Sequence, residues 1–158
     1  MMFTSLISLV DRFSPAPVAH AHCDGPCGVY DPSSARIAGE AVLSMTKKLV
    51  ALEVPAAGDH AAYVKYHNTF ARFVAIKEHE AHHAKEQLLV LWTDFFKPQH
   101  LEAHPNLHTT FWKAAKLCSA CKVEVSVQHA TELMEAIEEI HNLFWTVKNR
   151  DVSWYTAS

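Results

Sequence analysis

The residues of this chain that are best suited to chemistry lie together between positions 22 and 30. They read His22-Cys23-Asp24-Gly25-Pro26-Cys27-Gly28-Val29-Tyr30. Thiolates and imidazoles are strong ligands for transition metals. The glycine and proline between the two cysteines supply a turn that brings the second sulfur back toward the first. The segment therefore predicts a metal site built almost entirely from adjacent residues.

Cleavage after Ala21 would turn His22 into a free N-terminus and complete the ligand set. The segment would then offer an α-amine, an imidazole, a backbone amide nitrogen and two thiolates. Square-planar nitrogen and sulfur coordination suits Ni(II) or Cu(II), and an axial imidazole suits a five-coordinate Ni(III). In an uncleaved chain the His22 nitrogen is an amide and residues 1–21 cover the site, so the chemistry requires a maturation protease.

The chain divides into four parts around this segment. We predict a removable prosegment at 1–21, a metal-binding hook at 22–32, a helical bundle at 33–150 and a C-terminal tail at 151–158 that is loose or docked on a partner. Ala19-His20-Ala21 has the small-x-small pattern of a cleavage site. The prosegment has no basic start and only a short apolar core, so we expect a cytoplasmic protein, with export as the alternative.

Two helix starts are marked by an aspartate. Asp31 before Pro32 favours a first helix that ends before Pro55, and Asp59 can cap a second, long helix. The apolar stripe of the first helix is Ile37, Ala41, Met45, Leu49 and Leu52. That of the second is Tyr63, Tyr66, Phe70, Phe73, Val74, Ala81, Ala84, Leu88 and Leu91.

The long helix is predicted to end at Lys97-Pro98. A third helix is expected from Pro105 to about Leu117, with Leu107, Phe111 and Ala114 on one face. A fourth is marked by apolar residues at helical spacing. These are Leu133, Ile137, Ile140, Phe144 and Val147. Four amphipathic helices with short links predict an all-α, antiparallel four-helix bundle that the hook precedes.

Composition excludes several classes of protein. The formal net charge is −3, so no basic surface for nucleic acid is indicated. No apolar run approaches the roughly 18 residues that a membrane-spanning helix needs. The second cysteine pair, Cys118 and Cys121, falls in a helical stretch without the strand context of a redox motif, so we interpret both as buried small side chains.

The segment from His22 to Tyr30 resembles the hook of the nickel superoxide dismutases, whose pattern is H-C-x-x-P-C-G-x-Y. The resemblance extends over residues 22–150. It includes the stretches Ala35-Arg36-Ile37, Ile76-Lys77-Glu78, 90–98 and Phe144-Trp145.

The resemblance implies one nickel ion per subunit, held by His22, Cys23 and Cys27. The α-amine, the Cys23 amide nitrogen and the two sulfurs would be equatorial, and the His22 imidazole would be axial. It implies disproportionation of superoxide to oxygen and hydrogen peroxide with nickel cycling between +2 and +3, in a homohexamer whose hooks dock on neighbouring subunits. Tyr30 would act catalytically near the open face of the metal, with Asp24 and Lys97 near the substrate approach.

Two positions depart from the family pattern. A glutamate in the first helix that orients the axial imidazole is replaced by Ala38, and an arginine on the long helix by Glu80. Our hypothesis is that Glu80 accepts the imidazole hydrogen bond instead. Phe95 stands where the pattern has a second tyrosine, so a hydroxyl donor is absent there.

Two alternatives compete with this interpretation. Glu80-x-x-His83 and Glu138-x-x-His141 have the spacing of a ferritin-like di-metal carboxylate bundle, although residues 106–120 contain no glutamate to complete it. A non-enzymatic nickel or copper carrier could use the hook together with the histidines of the long helix. These are His79, His82 and His83, which we expect to form a solvated helix face.

Overall fold

The computed structural model describes residues 28–157, and these residues form five helices. The helices are α1 (Ser33–Val50), α2 (His60–Val90), α3 (Pro98–Ala103), α4 (Leu107–Val123) and α5 (Val127–Val147). A π-helical turn, Leu91–Phe95, continues α2. α1, α2, α4 and α5 pack in that order around one core, and the described part of the chain contains no strand. The predicted all-α bundle is confirmed.

The core shows which predicted helix faces point inward. α4 and α5 match their predicted stripes, since Leu107, Phe111, Ala114, Leu133, Ile137, Ile140 and Phe144 are almost fully buried, and only Val147 at the end of α5 is half-buried. No described helix is long and apolar enough to cross a membrane.

The face that α1 buries differs from the predicted one by a rotation of part of a turn. Ile37 is 58% exposed, whereas Ala35, Ala38 and Val42 are fully buried. Close helix packing explains the difference. A Cβ atom on Gly39 would lie 2.6 Å from Cδ1 of Ile137, so α1 approaches α5 with its small residues rather than with its largest ones.

The N-terminal half of α2 is also more exposed than its stripe predicts. Tyr63 is 54% exposed and Phe70 is 40% exposed, whereas Ala81, Ala84 and Leu88 further along the helix are buried. The aromatic rings of this half pack on one another instead, as with Tyr66 and Phe70, whose centroids lie 6.1 Å apart.

Three element boundaries differ from the prediction. The α-helical part of α2 ends at Val90, seven positions before Lys97, because the π-helical turn follows it. Pro98 begins α3, a short helix that the pattern does not predict. α4 begins at Leu107 and continues past Leu117 to Val123, so that it includes both core cysteines.

One buried cation holds the far end of α4 against α2. Lys77 on α2 is only 2% exposed. Its ammonium donates to the carbonyl oxygens of Lys122 at 3.0 Å and Glu124 at 3.2 Å, and also to that of Cys121. These carbonyls end the helix, where a positive charge is favoured and partners are needed.

The described residues of the C-terminal tail pack against the helices of their own chain. The backbone N–H of Ala157 donates to Glu40 Oε1 at 2.7 Å, and the Arg36 guanidinium lies 4.2 Å from the centroid of Tyr155. His141 Nε2 lies 2.8 Å from the carbonyl oxygen of Val152. The described tail residues therefore close over α1 and α5.

Candidate metal centre and its approach

The predicted nickel ligands His22, Cys23 and Cys27 lie outside the described residues, as does Asp24. The described chain begins directly after them at Gly28, whose φ of 63° is in the left-handed region. None of the described residues places an atom within 4 Å of the position that a Cβ atom would take there. Glycine is therefore favoured at this position by backbone conformation and not by crowding.

The end of the hook is joined to α1 by a local turn. The Asp31 carboxylate accepts the N–H of Ser33 at 2.7 Å, and the Pro32 carbonyl accepts the N–H of Arg36 at 3.1 Å. Asp31 and Pro32 thus start the helix as predicted, although the helix begins at Ser33, one residue later than a first-turn proline implies. Pro32 is buried, so the hook enters the bundle at a rigid point.

Tyr30 lies against a cluster of aromatic rings at one end of the bundle. Its ring centroid is 5.7 Å from that of Phe95 in the π-helical turn. Phe95 in turn lies 4.5 Å from Phe144 near the end of α5. The start of α1, the π-helical turn and the end of α5 therefore meet here, and we call this cluster of Tyr30, Phe95 and Phe144 the aromatic pole.

Two cationic or titratable side chains that sequence reasoning missed lie at the aromatic pole. The Lys148 ammonium is 5.2 Å from the centroid of Phe95 and 5.9 Å from that of Phe144. The His100 ring lies 5.9 Å from Phe95. No local signal marks either residue, because each reaches the pole only through the packing of α3 and α5.

Lys97 is exposed and is held in place through its backbone. Its N–H donates to Nδ1 of His100 at 3.0 Å, and its carbonyl accepts the His100 N–H at 2.9 Å. The two reciprocal bonds fix the first turn of α3. The Lys97 side chain forms no ion pair with any residue in 28–157, so its charge is not neutralised within that range.

Glu80 and Ala38 occupy different environments. Ala38 is fully buried in the core, where a glutamate would lose its hydration. Glu80 is half-buried, and its carboxylate makes no hydrogen bond or ion pair within the described part of the chain. The structure thus leaves this acid without a competing partner among residues 28–157.

The second cysteine pair is confirmed as part of the core. Cys118 and Cys121 are free thiols that are 0% and 1% exposed. Burial, reinforced by the neighbouring Cys121, raises the pKa of Cys118 from 9.0 to about 12. Burial raises the pKa of Cys121 to about 11. Both thiols stay protonated near neutral pH and are poor ligands and poor nucleophiles.

The di-metal alternative is wrong for the described residues. No group of three or more His, Cys, Asp and Glu side chains within 28–157 is arranged to hold a metal ion. His141, one of its expected ligands, is only 6% exposed and bonds to the tail carbonyl of Val152. The core cluster of the described bundle is made of apolar side chains instead.

Comparisons with known proteins agree with the geometry. The family model described as nickel-containing superoxide dismutase matches residues 17–148. The nickel superoxide dismutase of Streptomyces seoulensis is 39% identical over 136 residues, which are 86% of this chain and 95% of that protein. The nickel superoxide dismutase of Streptomyces coelicolor is 35% identical over 136 residues, with the same coverage.

Solved structures show the same fold. A native nickel superoxide dismutase structure aligns with a TM-score of 0.70 and 35% identity, over 81% of this chain and 99% of that chain. A structure with nickel ligation of the oxidised state aligns with a TM-score of 0.69 and 38% identity, with the same coverage. The tail residues after 148 lie beyond the family match.

Proposed function

Because the chain belongs to the nickel-containing superoxide dismutase family, we propose that its nickel site forms at a new N-terminus that begins at His22. The chain is a nickel-dependent enzyme that disproportionates superoxide to oxygen and hydrogen peroxide. The family match across residues 17–148, which includes the hook sequence, carries this conclusion. Bound nickel supplies the one-electron exchange with superoxide, by cycling between +2 and +3.

The donor set of the hook fits nickel. The amine and imidazole of His22, the amide nitrogen of Cys23 and the sulfurs of Cys23 and Cys27 would provide the mixed nitrogen and sulfur ligands that suit nickel. The described residues offer no rival cluster. The core thiols Cys118 and Cys121 stay protonated and cannot compete for the ion near neutral pH.

Chain length supports a site beside the aromatic pole. Cys27 precedes Tyr30 by three residues, and three residues span at most about 11 Å between Cα atoms. An ion that Cys27 binds would therefore lie near Tyr30, whose ring already rests on Phe95. We assign Tyr30 to the open face of the metal, where its hydroxyl can hydrogen-bond to substrate or water.

Positive charge at this pole would guide the anionic substrate. Lys97 is exposed two residues after Phe95, and Lys148 lies over the ring of Phe95. The whole protein carries a formal charge of −3, so attraction must be local. Screening over roughly 10 Å at moderate salt makes only the nearest cations effective. Asp24 is proposed to border the same approach, because it lies between His22 and Cys27 in the sequence.

Phe95 changes how water is held at the site. Its ring contacts Tyr30 and Phe144 and carries no hydroxyl. The only phenol hydroxyl in this aromatic cluster is therefore that of Tyr30. We infer that the rings exclude water from one side, and that outer-sphere water is held by groups other than residue 95.

Glu80 is proposed to accept the hydrogen bond of the His22 imidazole. Its carboxylate is half-buried and unengaged by the residues from 28 to 157, and a carboxylate partner fixes the orientation of a metal-bound imidazole. Ala38 cannot take that role. The carboxylate that orients the His22 imidazole would then come from α2 instead of α1.

Self-association into a homohexamer is proposed, with support from the exposed half of α2. Tyr63 is 54% exposed, Val64 is 53% exposed and Phe70 is 40% exposed. Clustered exposed apolar side chains are typical of contact surfaces between chains. Light scattering of Tyr63→Glu/Phe70→Glu should show a smaller assembly than the parent, and an unchanged mass would contradict this surface.

Maturation is tested on the active enzyme. We propose that a protease removes residues 1–21 and that the protein acts in the cytoplasm, since the prosegment lacks a basic start. Intact mass, N-terminal sequencing and nickel content should be measured on one active sample. The expected result is an N-terminus at His22 with one nickel ion per subunit. Full activity with the leader retained would overturn the proposal.

A further inference from the structure

A pair of histidines on α2, about fifty residues after the hook in the sequence, has the types and spacing of metal ligands. His79 and His83 are one helical turn apart on the same face, within the sequence His79-Glu80-Ala81-His82-His83. Their ring centroids are 6.4 Å apart and their planes differ by only 3°. Two histidines at this i, i+4 spacing are a known arrangement for chelating zinc on a helix.

We propose that His79 and His83 form an accessory binding site for a divalent transition-metal ion such as Ni(II), Cu(II) or Zn(II). Imidazole nitrogen suits all three ions. The rings stand side by side on an ordered helix, and His79 is exposed while His83 is half-buried. Rotation about χ2, which is a broad torsion for histidine, turns a nitrogen of each ring toward one point between them.

The neighbouring side chains limit the site to two protein ligands. His82 Nε2 lies 3.2 Å from Glu86 Oε1, so this histidine already has a carboxylate partner one turn further along. Glu80 follows His79 by one position and projects from a different face of the helix. No third ligand joins the pair among residues 28–157, so water must complete the coordination.

The local charge favours a cation. Glu80 and Glu86 flank the histidine pair on α2, and the nearby Lys85 ammonium donates instead to Ser119 Oγ on α4 at 3.1 Å. A bidentate site with water ligands binds its ion reversibly. It differs in this respect from the hook, which offers two thiolates and a free amine.

The accessory site goes beyond the proposed function. The experiment distinguishes metal binding at the accessory site from the activity of the hook. Nickel-loaded, active enzyme is dialysed against increasing Ni(II), and bound metal per subunit and superoxide dismutase activity are measured on the same samples. The parent enzyme should take up a second, weaker equivalent of nickel. His79→Gln/His83→Gln should lose that equivalent, with affinity reduced roughly tenfold or more, and should keep the first equivalent and its activity.

A matched variant uses two other histidines of the same helix. His60 and His67 are both exposed but lie about two turns apart, which is too far to chelate one ion. His60→Gln/His67→Gln should retain the second equivalent. The proposal is overturned if the parent binds no second equivalent, or if the second equivalent persists in His79→Gln/His83→Gln.

Discussion

The chain contains two close pairs of cysteines in contrasting surroundings. Cys23 and Cys27 flank a turn sequence rich in glycine and proline, directly after the predicted new N-terminus. Cys118 and Cys121 lie one turn apart on α4, inside the apolar core, with their pKa values raised by burial. Similar spacing therefore does not give similar chemistry. Sulfur reactivity depends on whether the surroundings favour the thiolate or the thiol.

The largest expected difference between the pairs is in metal binding. Cys23→Ser/Cys27→Ser should lose nickel and fall to background superoxide dismutase activity, because both sulfurs that we propose as nickel ligands are replaced by hydroxyls. The loss should exceed the roughly 100-fold effect of removing a partner that merely orients a ligand. Nickel analysis and activity of the purified variant check this.

The matched control is Cys118→Ser/Cys121→Ser. This variant should bind nickel and retain activity per folded subunit, while losing about 1–3 kcal/mol of stability because buried hydroxyls lack partners. Loss of nickel from this core variant, together with retention of nickel by the hook variant, would contradict the assignment of the metal to Cys23 and Cys27.

Glu80 tests whether the hook depends on one orienting acid. Glu80→Gln should lower activity by about tenfold to a hundredfold and shift the nickel reduction potential, because a neutral amide supports the imidazole less well. Circular dichroism should show an unchanged fold. Glu132→Gln, which changes an acid close to the core pair, serves as control and should leave both the potential and the activity unaltered.

The core thiols should make stability depend on alkaline pH. A thiol whose pKa is higher in the folded chain stabilises the fold fully below its unfolded pKa, and this contribution is lost as the pH rises toward the folded value. The free energy of unfolding should therefore fall from pH 9.0 toward about 11, by up to about 1.4 kcal/mol per pH unit for each thiol.

Urea unfolding at several pH values measures this slope. Cys118→Ala/Cys121→Ala should show a flatter decline than the parent over the same range, because the two groups that shift are gone. The comparison is between slopes, so the stability lost through the smaller side chains does not affect it. Parallel slopes in the two proteins would show that the core thiols do not contribute.

The smallest expected effect is that of Lys148 on substrate approach. Unit charges about 10 Å apart in water interact by about 0.4 kcal/mol, so Lys148→Met should lower kcat/KM about twofold at low salt. The effect should vanish as salt rises. Lys122→Met, near the core pair, should change kcat/KM at neither salt concentration. Equal effects of the two substitutions would indicate net charge rather than local guidance.

Much of the architecture was predictable because it depends on local signals. Asp31 with Pro32 and Asp59 mark helix starts that the structure confirms to within one residue. The Asp59 side chain accepts the N–H of Ala62 at 3.0 Å, as a helix cap does. The stripes of α4 and α5 also point inward as predicted. Capping and periodicity act over a few residues, so sequence alone can reveal them.

Helix faces and side-chain partners were predicted less well where distant elements decide them. Ile37 is exposed because α1 packs closely through Gly39, which the periodicity of α1 cannot show. Lys148 reaches Phe95 only when α5 lies beside the π-helical turn. The tail closes over Arg36 and Glu40, although nothing in its own sequence specifies either partner.

The sequence by itself determined the family, the nickel cofactor and the helical class, because a hook motif and helix periodicity are carried by residues close together in the chain. Only the tertiary structure decided that Lys77 closes the end of α4 and that Phe95 joins Tyr30 to Lys148. These properties depend on burial and on contacts between distant segments, which arise only when the helices pack.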